Sequence, residues 1–313
     1  MANTQKIAGI DSHIGYTKET TYGTAVGTAS LLTWSYIQGF NPSIKNNMIA
    51  TRGFVGTSSD ARAVQKFSPG QLDINWSMDL VPNNFAFCEY LLGSATTTDS
   101  TSTFETIDTP PSFTMVHNVY NVGTARQETY SGCVLNTMSL KAAVGEPLSV
   151  NLAGVSSLVK YDASEEAAVA LGTADIWTFQ HGTLGIGTTD ANIIDSVELN
   201  VTNNYEIKYG LGTRLAKTAV PKARDVSLRF TVKYLDDKLY GKLLGAATPT
   251  SSGSPTAVAS ALLTFTNGNK SLTITCSNGY IEEFAGTNNL NELIGEDFTL
   301  NAKGVGIVWD NKA

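Results

Sequence analysis

The chain has 313 residues, 42% of them hydrophobic and 16% charged, with a formal net charge of -7 and a pI near 5.0. That size and apolar content suit one large or two ordinary folded domains and exclude a disordered chain. The acidic balance argues against a dedicated nucleic-acid binder, which carries a basic footprint, and no apolar run reaches the roughly 18 residues a membrane helix needs.

Residues 1–30 lack a clear period and read as an N-terminal arm, with one short strand near Lys6–Ile10 and no apolar stretch of the signal-peptide kind. Synthesis in the cytoplasm is the expectation. Leu31–Phe40 reads as a strand, and a long Gly-containing segment, 45–70, follows it. Leu72, Ile74, Trp76 and Met78 then alternate with Asp73, Asn75, Ser77 and Asp79, the period-two pattern of a half-buried strand. Pro82-Asn83-Asn84 introduces a short helix over Phe85–Leu92 that stops at Gly93. A low-complexity polar loop, Thr96–Thr103, leads to strands at Ser112–Tyr120, Gly132–Lys141 and Leu148–Leu152. Tyr161–Ala174, with Glu165-Glu166 and several alanines, reads as a linker.

The same order then recurs. A long Gly-containing segment, Tyr205–Arg224, precedes a strand in which Val226, Leu228, Phe230 and Val232 alternate with Ser227, Arg229, Thr231 and Lys233. Asp236-Asp237 leads into a helix over Lys238–Leu244 that stops at Gly245. A polar loop, Thr248–Thr256, and strands at Leu262–Thr266, Leu272–Phe284 and Phe298–Lys303 complete the series. The segment Gly145–Val155 is echoed by Gly295–Val305, with five of eleven positions identical. These parallels predict an all-β chain with one short helix per domain, built as two tandem, duplicated β-sandwich or barrel domains. The expected bounds are an arm at 1–30, a first domain at 31–160, a linker at 161–174 and a second domain at 175–313. Aligning Leu72 with Val226 makes the strands share an apolar face while the polar face turns from acidic to basic.

The catalytic inventory is thin. His13, His117 and His181 form no metal-ligand pair, and Cys88, Cys133 and Cys276 read as buried free thiols. No nucleophile elbow occurs, and Gly182–Gly187 fits neither a Walker loop nor a dinucleotide fingerprint. No catalytic residue, metal or cofactor is expected. The four tryptophans, Trp34, Trp76, Trp177 and Trp309, fall mostly in strand contexts and read as core. The long segments carry basic residues: Arg52, Arg62 and Lys66 in the first, Arg214, Lys217, Lys222 and Arg224 in the second. Nucleic-acid contact, docking to an acidic face of a neighbouring subunit and simple solvation all suit such patches, although structureless loops of that length are uncommon without a function.

Taken together, these features resemble the tail tube proteins of long-tailed bacteriophages, in the variety whose tube domain is duplicated within one chain. The resemblance rests on Gly15–Ala25, the long segment before each alternating strand, the Leu-Leu-Gly helices and the Gly-Glu segments, and it covers essentially the whole chain. It implies stacked rings of six domains, hence three chains per ring, around a channel through which DNA passes without specific binding. It implies as partners the chain itself and tape-measure, tail-tip and tail-terminator proteins, with no membrane, and places the protein in the virion tail. The long segments and the arm would contact the neighbouring ring through Arg52, Arg62, Lys66, Arg214, Lys217, Lys222 and Arg224. Asp73, Asn75, Asp79, Arg229 and Lys233 are the candidates for the lumen, although the family's acidic lumen sits poorly with the last two. A β-sandwich receptor- or carbohydrate-binding module is the alternative, and an enzyme comes third.

Overall fold

Two long strands, Arg126–Ala143 and Lys270–Thr287, each belong to two sheets at once, and this organises the molecule. The computed structural model describes residues 12–26, 33–51, 66–82, 84–119, 126–162, 176–187, 189–190, 194–233, 238–245, 253–287 and 295–312. In chain order the first half contains β1 (Ser12–Lys18), β2 (Thr33–Asn46), β3 (Ile49–Thr51), β4 (Lys66–Ser68), β5 (Leu72–Val81), α1 (Cys88–Leu92), β6 (Gly93–Thr98), β7 (Thr101–Thr106), β8 (Phe113–Val119), β9 (Arg126–Ala143), β10 (Ser149–Ser156) and β11 (Leu158–Asp162). The second contains a 3-10 turn at Phe179–His181, then β12 (Gly182–Ile186), β13 (Thr189–Asp190), β14 (Ile194–Thr202), β15 (Glu206–Tyr209), β16 (Ala216–Val220), β17 (Asp225–Lys233), α2 (Lys238–Leu244), β18 (Val258–Asn267), β19 (Lys270–Thr287), β20 (Gly295–Ala302) and β21 (Gly304–Asn311). All strand pairing is antiparallel, and the all-β class expected from the alternation is what the chain adopts.

In the first half, β2–β5–β10–β9–β8–β1 closes back on β2, a six-stranded barrel with β11 added beside β9. In the second, β14–β17–β20–β19–β18–β12 runs in the corresponding order, with β21 beside β19. The halves meet edge to edge. β9 pairs with β14, so β2–β5–β10–β9–β14–β17–β20–β19 forms one continuous eight-stranded sheet.

β-Bulges fix how the halves correspond. Gln38 is skipped where β2 meets β5, and Asp195 where β14 meets β17. Asn136 is skipped where β9 meets β10, and Glu282 where β19 meets β20. Stepping across the sheet from either bulge leads to one correspondence: Met78 with Phe230, Leu152 with Phe298, Met138 with Phe284 and Asn46 with Asn203. This register differs from the one read from sequence. Asp73 corresponds to Asp225 rather than to Ser227, and Gly145-Glu146 lies in the turn before β10 while Gly295-Glu296 begins β20. A strand's side chains repeat every two residues, so slips of two or four keep the apolar face inward and leave no trace in the alternation.

Aromatic clusters pack inside each half: Tyr16, Trp76, Tyr90 and Phe113 in the first, Phe230, Tyr240, Phe284 and Phe298 in the second, the last group with Phe230, Phe284 and Phe298 where the first has Met78, Met138 and Leu152. Phe85 beside α1 packs on Trp177 and Trp309, joining the two cores. Trp76, Trp177 and Trp309 are buried as expected, while the Trp34 side chain lies outside the described residues. Gly154 faces the Trp76 ring, where an added Cβ would stand 2.4 Å from Trp76 Cζ2 and 2.2 Å from the Val134 carbonyl oxygen. Gly93 and Gly245 end the helices with φ of 111° and 76°, the left-handed stop their position predicts.

Four expectations change. Ser12–Lys18, inside the segment read as an arm, is a barrel strand between β2 and β8; Ile14 and Tyr16 face the core and hold it there. Lys6–Ile10 and most of the linker lie outside the described residues. The loop Thr96–Thr103 is instead a hairpin, β6–β7, that buries Phe104 and adds to the second half's β21. Both long segments also form hairpins, β3–β4 and β15–β16. Helix α1 is shorter than Phe85–Leu92: Asn84 Oδ1 accepts from the Ala86 N–H and turns the chain before the helix begins.

Candidate assembly interface

Directly opposed residues of an antiparallel ladder share a face, so the register sorts the eight-stranded sheet into two surfaces. One is the core side. The other is polar, and it collects Asp73, Asn75, Asp79, Arg229 and Lys233, the five residues singled out from sequence. It also carries Lys45, Lys141, Glu198, Asp225, Glu283 and Asp297. Carboxylates therefore outnumber cations, and serine, threonine and asparagine fill the intervals.

Many of these charges are tethered by neighbours on the same or an adjacent strand. Asn151 Nδ2 donates to Asp79 Oδ1 at 2.6 Å, and Asn200 Nδ2 to Glu198 Oε1 at 3.0 Å. Thr231 Oγ1 donates to Asp297, and Lys233 pairs at 2.6 Å with Asp195, the bulge residue of β14. Asp73 receives hydrogen bonds from the Tyr209 hydroxyl and Asn47, and the Tyr209 bond is the leading cause that holds its carboxyl below the usual range. Lys141, Glu198 and Arg229 lie side by side on consecutive strands and line a shallow depression with Asp297.

The basic candidates separate. Arg52 and Arg62 lie outside the described residues, as does the Lys66 side chain. Arg214, at the tip of the β15–β16 hairpin, reaches the first half: Nε donates to the Gly70 carbonyl at 2.8 Å and a terminal nitrogen donates to Asn46 Oδ1. Lys222 pairs with Glu206 at 3.0 Å, and Lys217 lies along Gly210. Arg224 is half-buried. Its Nε donates to Asn203 Oδ1 at 2.7 Å, and burial lowers its pKa from the usual arginine value. Arg214 and Arg224 thus serve contacts between the two halves of one chain.

Asn203 is the centre of that junction and was missed from sequence. Its side chain is buried, and Nδ2 donates to the carbonyls of Leu91 at 2.9 Å and Leu135 at 3.1 Å. Its backbone N–H reaches the Asn136 carbonyl, and the Tyr205 N–H reaches Asn136 Oδ1. The available signal was the paired Asn46-Asn47 and Asn203-Asn204, each closing a strand before a hairpin. Glu19 was missed as well: its buried carboxylate accepts from Ser112, Thr114 and the N–H groups of Gly23 and Gly132, tying down the Gly15–Ala25 stretch.

The histidines have structural partners. His13 contacts Asn118, His117 lies 3.4 Å from Glu128, and His181 closes the 3-10 turn with Thr178. Among the described residues no cluster of His, Cys, Asp and Glu could hold a metal, and no helix is long and apolar enough to cross a membrane.

The polar sheet face, the tethered junction and the edges left by the eight-stranded sheet describe a building block. A family model described as phage tail tube protein matches residues 9–302. No curated protein sequence matches the chain.

Proposed function

The chain belongs to the phage tail tube protein family, and from that premise we propose that three copies close into a ring of six similar domains, that rings stack into a hollow tube, and that the polar sheet face lines the channel for DNA. A structural role in the virion tail follows from the family. The ring, its stacking and the passage of DNA are our reading, as are the non-enzymatic role and the origin of the two halves by tandem duplication.

One observation carries it. Among the described residues the sheet ends at the Tyr36–Asn46 part of β2 on one side and at the Tyr280–Thr287 part of β19 on the other. These edges correspond to β14 and β9, the two strands that already pair inside the chain. An unpaired edge is a template for another strand, and here each edge corresponds to one partner of a junction the chain already makes. Repeating that junction is a head-to-tail contact, which closes into a ring when the rotation permits.

The register is compatible with a ring of that size. The row of opposed residues that starts at Phe40 on β2 runs through Met78, Leu152 and Met138 to Val201 on β14, four residues beyond Val197, the counterpart of Phe40. Four strands thus carry a stagger of four residues. A shear equal to the strand number is the ratio of the eight-stranded TIM barrel, whose strands tilt about 36°. Three chains would supply twenty-four strands. At about 4.8 Å between strands and that tilt, the circumference is roughly 140 Å and the backbone diameter about 45 Å, which admits a DNA duplex. Carboxylates on the lining repel phosphate, while amides and hydroxyls hold the scattered cations among acceptors.

The segments that contain the hairpins β3–β4 and β15–β16, with Arg52, Arg62, Lys66, Lys217 and Lys222 among their charges, and residues 1–11 are our candidates for stacking. Tape-measure, tail-tip and terminator proteins would meet the open ends of the stack. Cryo-electron microscopy of assembled particles tests the proposal: pseudo-sixfold rings with true threefold symmetry are expected, and a strictly monomeric protein, or rings of six complete chains, would refute it.

A further inference from the structure

Ile44 on β2 is 51% exposed, whereas its counterpart Val201 on β14 is fully buried at 0%. The difference has a local cause: Val201 lies opposite Met138 of β9 in the junction between halves, and nothing among the described residues takes that place beside Ile44. Asn46 repeats the pattern. Like Asn203 it closes its strand, and like Asn203 its Oδ1 accepts from an arginine, here Arg214. The Asn203 amide nitrogen donates to Leu91 and Leu135 carbonyls across the junction, whereas that of Asn46 has no acceptor among the described residues.

We propose that a second copy of this chain supplies the missing strand in one defined register, with Glu283, Phe284 and Ala285 of β19 opposite Lys45, Ile44 and Ser43 of β2. The register is the internal one carried through the bulge correspondence: Thr137–Thr202, Met138–Val201 and Ser139–Asn200 are its templates. Three features suit it independently. Phe284 falls on Ile44, covering apolar surface that is now exposed. Glu283 falls on Lys45, so a neutral threonine pair of the internal junction becomes an ion pair of the external one. Asn46 comes to the carbonyls of Leu243 and Ile281, the counterparts of Leu91 and Leu135, beside the end of α2.

The charge pair also gives the contact a direction. Glu283 on one edge and Lys45 on the other favour head-to-tail joining, while two β2 edges would bring lysine to lysine and two β19 edges glutamate to glutamate.

The inference rests on the ring reading above, and the test separates the two. All three native cysteines are buried, so cysteines added on the polar face can be followed cleanly. The full-length Ser43→Cys/Ala285→Cys variant should give covalent oligomers up to the ring on oxidation during assembly. Each single variant should give none, and Asn41→Cys/Ala285→Cys, displaced by two residues, should give few, because its Cα atoms would lie beyond about 7 Å. In a second arm, Lys45→Glu and Glu283→Lys should each lower the yield of rings at least tenfold, and the double reversal should restore it. Rings that form normally but cross-link only in the displaced pair, or not at all, would overturn the register and leave the ring standing. Failure of the unmodified protein to assemble under any condition would overturn both.

Discussion

Arg224 grips Asn203 at 2.7 Å, and Asn203 grips the end of α1 from the other half of the chain. The arginine also reaches toward the Leu91, Leu92 and Ile107 carbonyls at 3.4 to 3.5 Å. Helix carbonyls that lack intrahelical partners need such donors. Asn203→Ala should lower stability by about 2–3 kcal/mol, because it leaves buried carbonyls unsatisfied. Arg224→Lys should recover only part of what Arg224→Ala loses, since a lysine lacks the planar fork. Urea unfolding midpoints check both.

Gly154 is the second sensitive point. Its Cβ would collide with the Trp76 ring and the Val134 carbonyl, and both lie in a packed core that cannot give freely. Gly154→Ala is expected to cost about 1–3 kcal/mol by overpacking. Gly145→Ala serves as the control for crowding: φ there is 86° but a Cβ would meet nothing within 4 Å, so any loss reports backbone strain alone. Thermal melts of the two variants should rank Gly154→Ala as the more damaging.

Truncation distinguishes the arm from the barrel. Removal of residues 1–11 should leave the melting curve of the unassembled chain unchanged. Removal of 1–18 takes away β1, opens the first barrel between β2 and β8, and exposes the pocket of Ile14 and Tyr16. That variant should unfold or aggregate. Circular dichroism and size-exclusion chromatography read the difference.

The alternation of apolar and polar residues in β5 and β17, and the Leu-Leu-Gly helix stops, were legible because burial on one face writes a period into the chain. The register was not. Gln38, Asp195, Asn136 and Glu282 look like ordinary strand residues, and a bulge shows only in the ladder it interrupts. The hairpins β3–β4 and β15–β16 were equally hidden, since Ile49, Phe67 and Leu211 are exposed and follow no core period. Asn203 draws its importance from Leu91 and Leu135, far away in the chain, and a single sequence does not display that proximity.

The cysteines should be unreactive in the folded chain. Burial pushes the Cys276 thiol up to about 12 and raises those of Cys88 and Cys133 further, so at pH 8 essentially none is thiolate. A thiol-specific chromogenic reagent should label none within minutes under native conditions and all three in guanidinium. Rapid labelling of one in the native state would contradict its burial.

Asp73 should make the β15–β16 hairpin acid-sensitive. Its folded pKa is depressed below that of an ordinary aspartate, chiefly by the hydrogen bond from the Tyr209 hydroxyl. A depressed carboxyl contributes stability that is present above its unfolded pKa and is lost as pH falls through the folded one. The docking of the hairpin on Leu72 and Asp73 should therefore be constant above about pH 5 and loosen only below about 4. Amide exchange in β15 and β16 measures this, and Asp73→Asn should remove the acid-side change.

The hairpin that the first half lends to β21 sets an order of events during synthesis. β7 pairs with Ile307–Asp310, near the end of the chain, and the Asn311 N–H reaches back to the Ser100 carbonyl. β7 leaves the ribosome long before its partner exists. Until then its edge is open, and so is the β19 edge that β21 will cover. A polypeptide released before residue 304 would keep both, and exposed edges are what chaperones and proteases find first. Completion of β21 thus covers both edges in a single step.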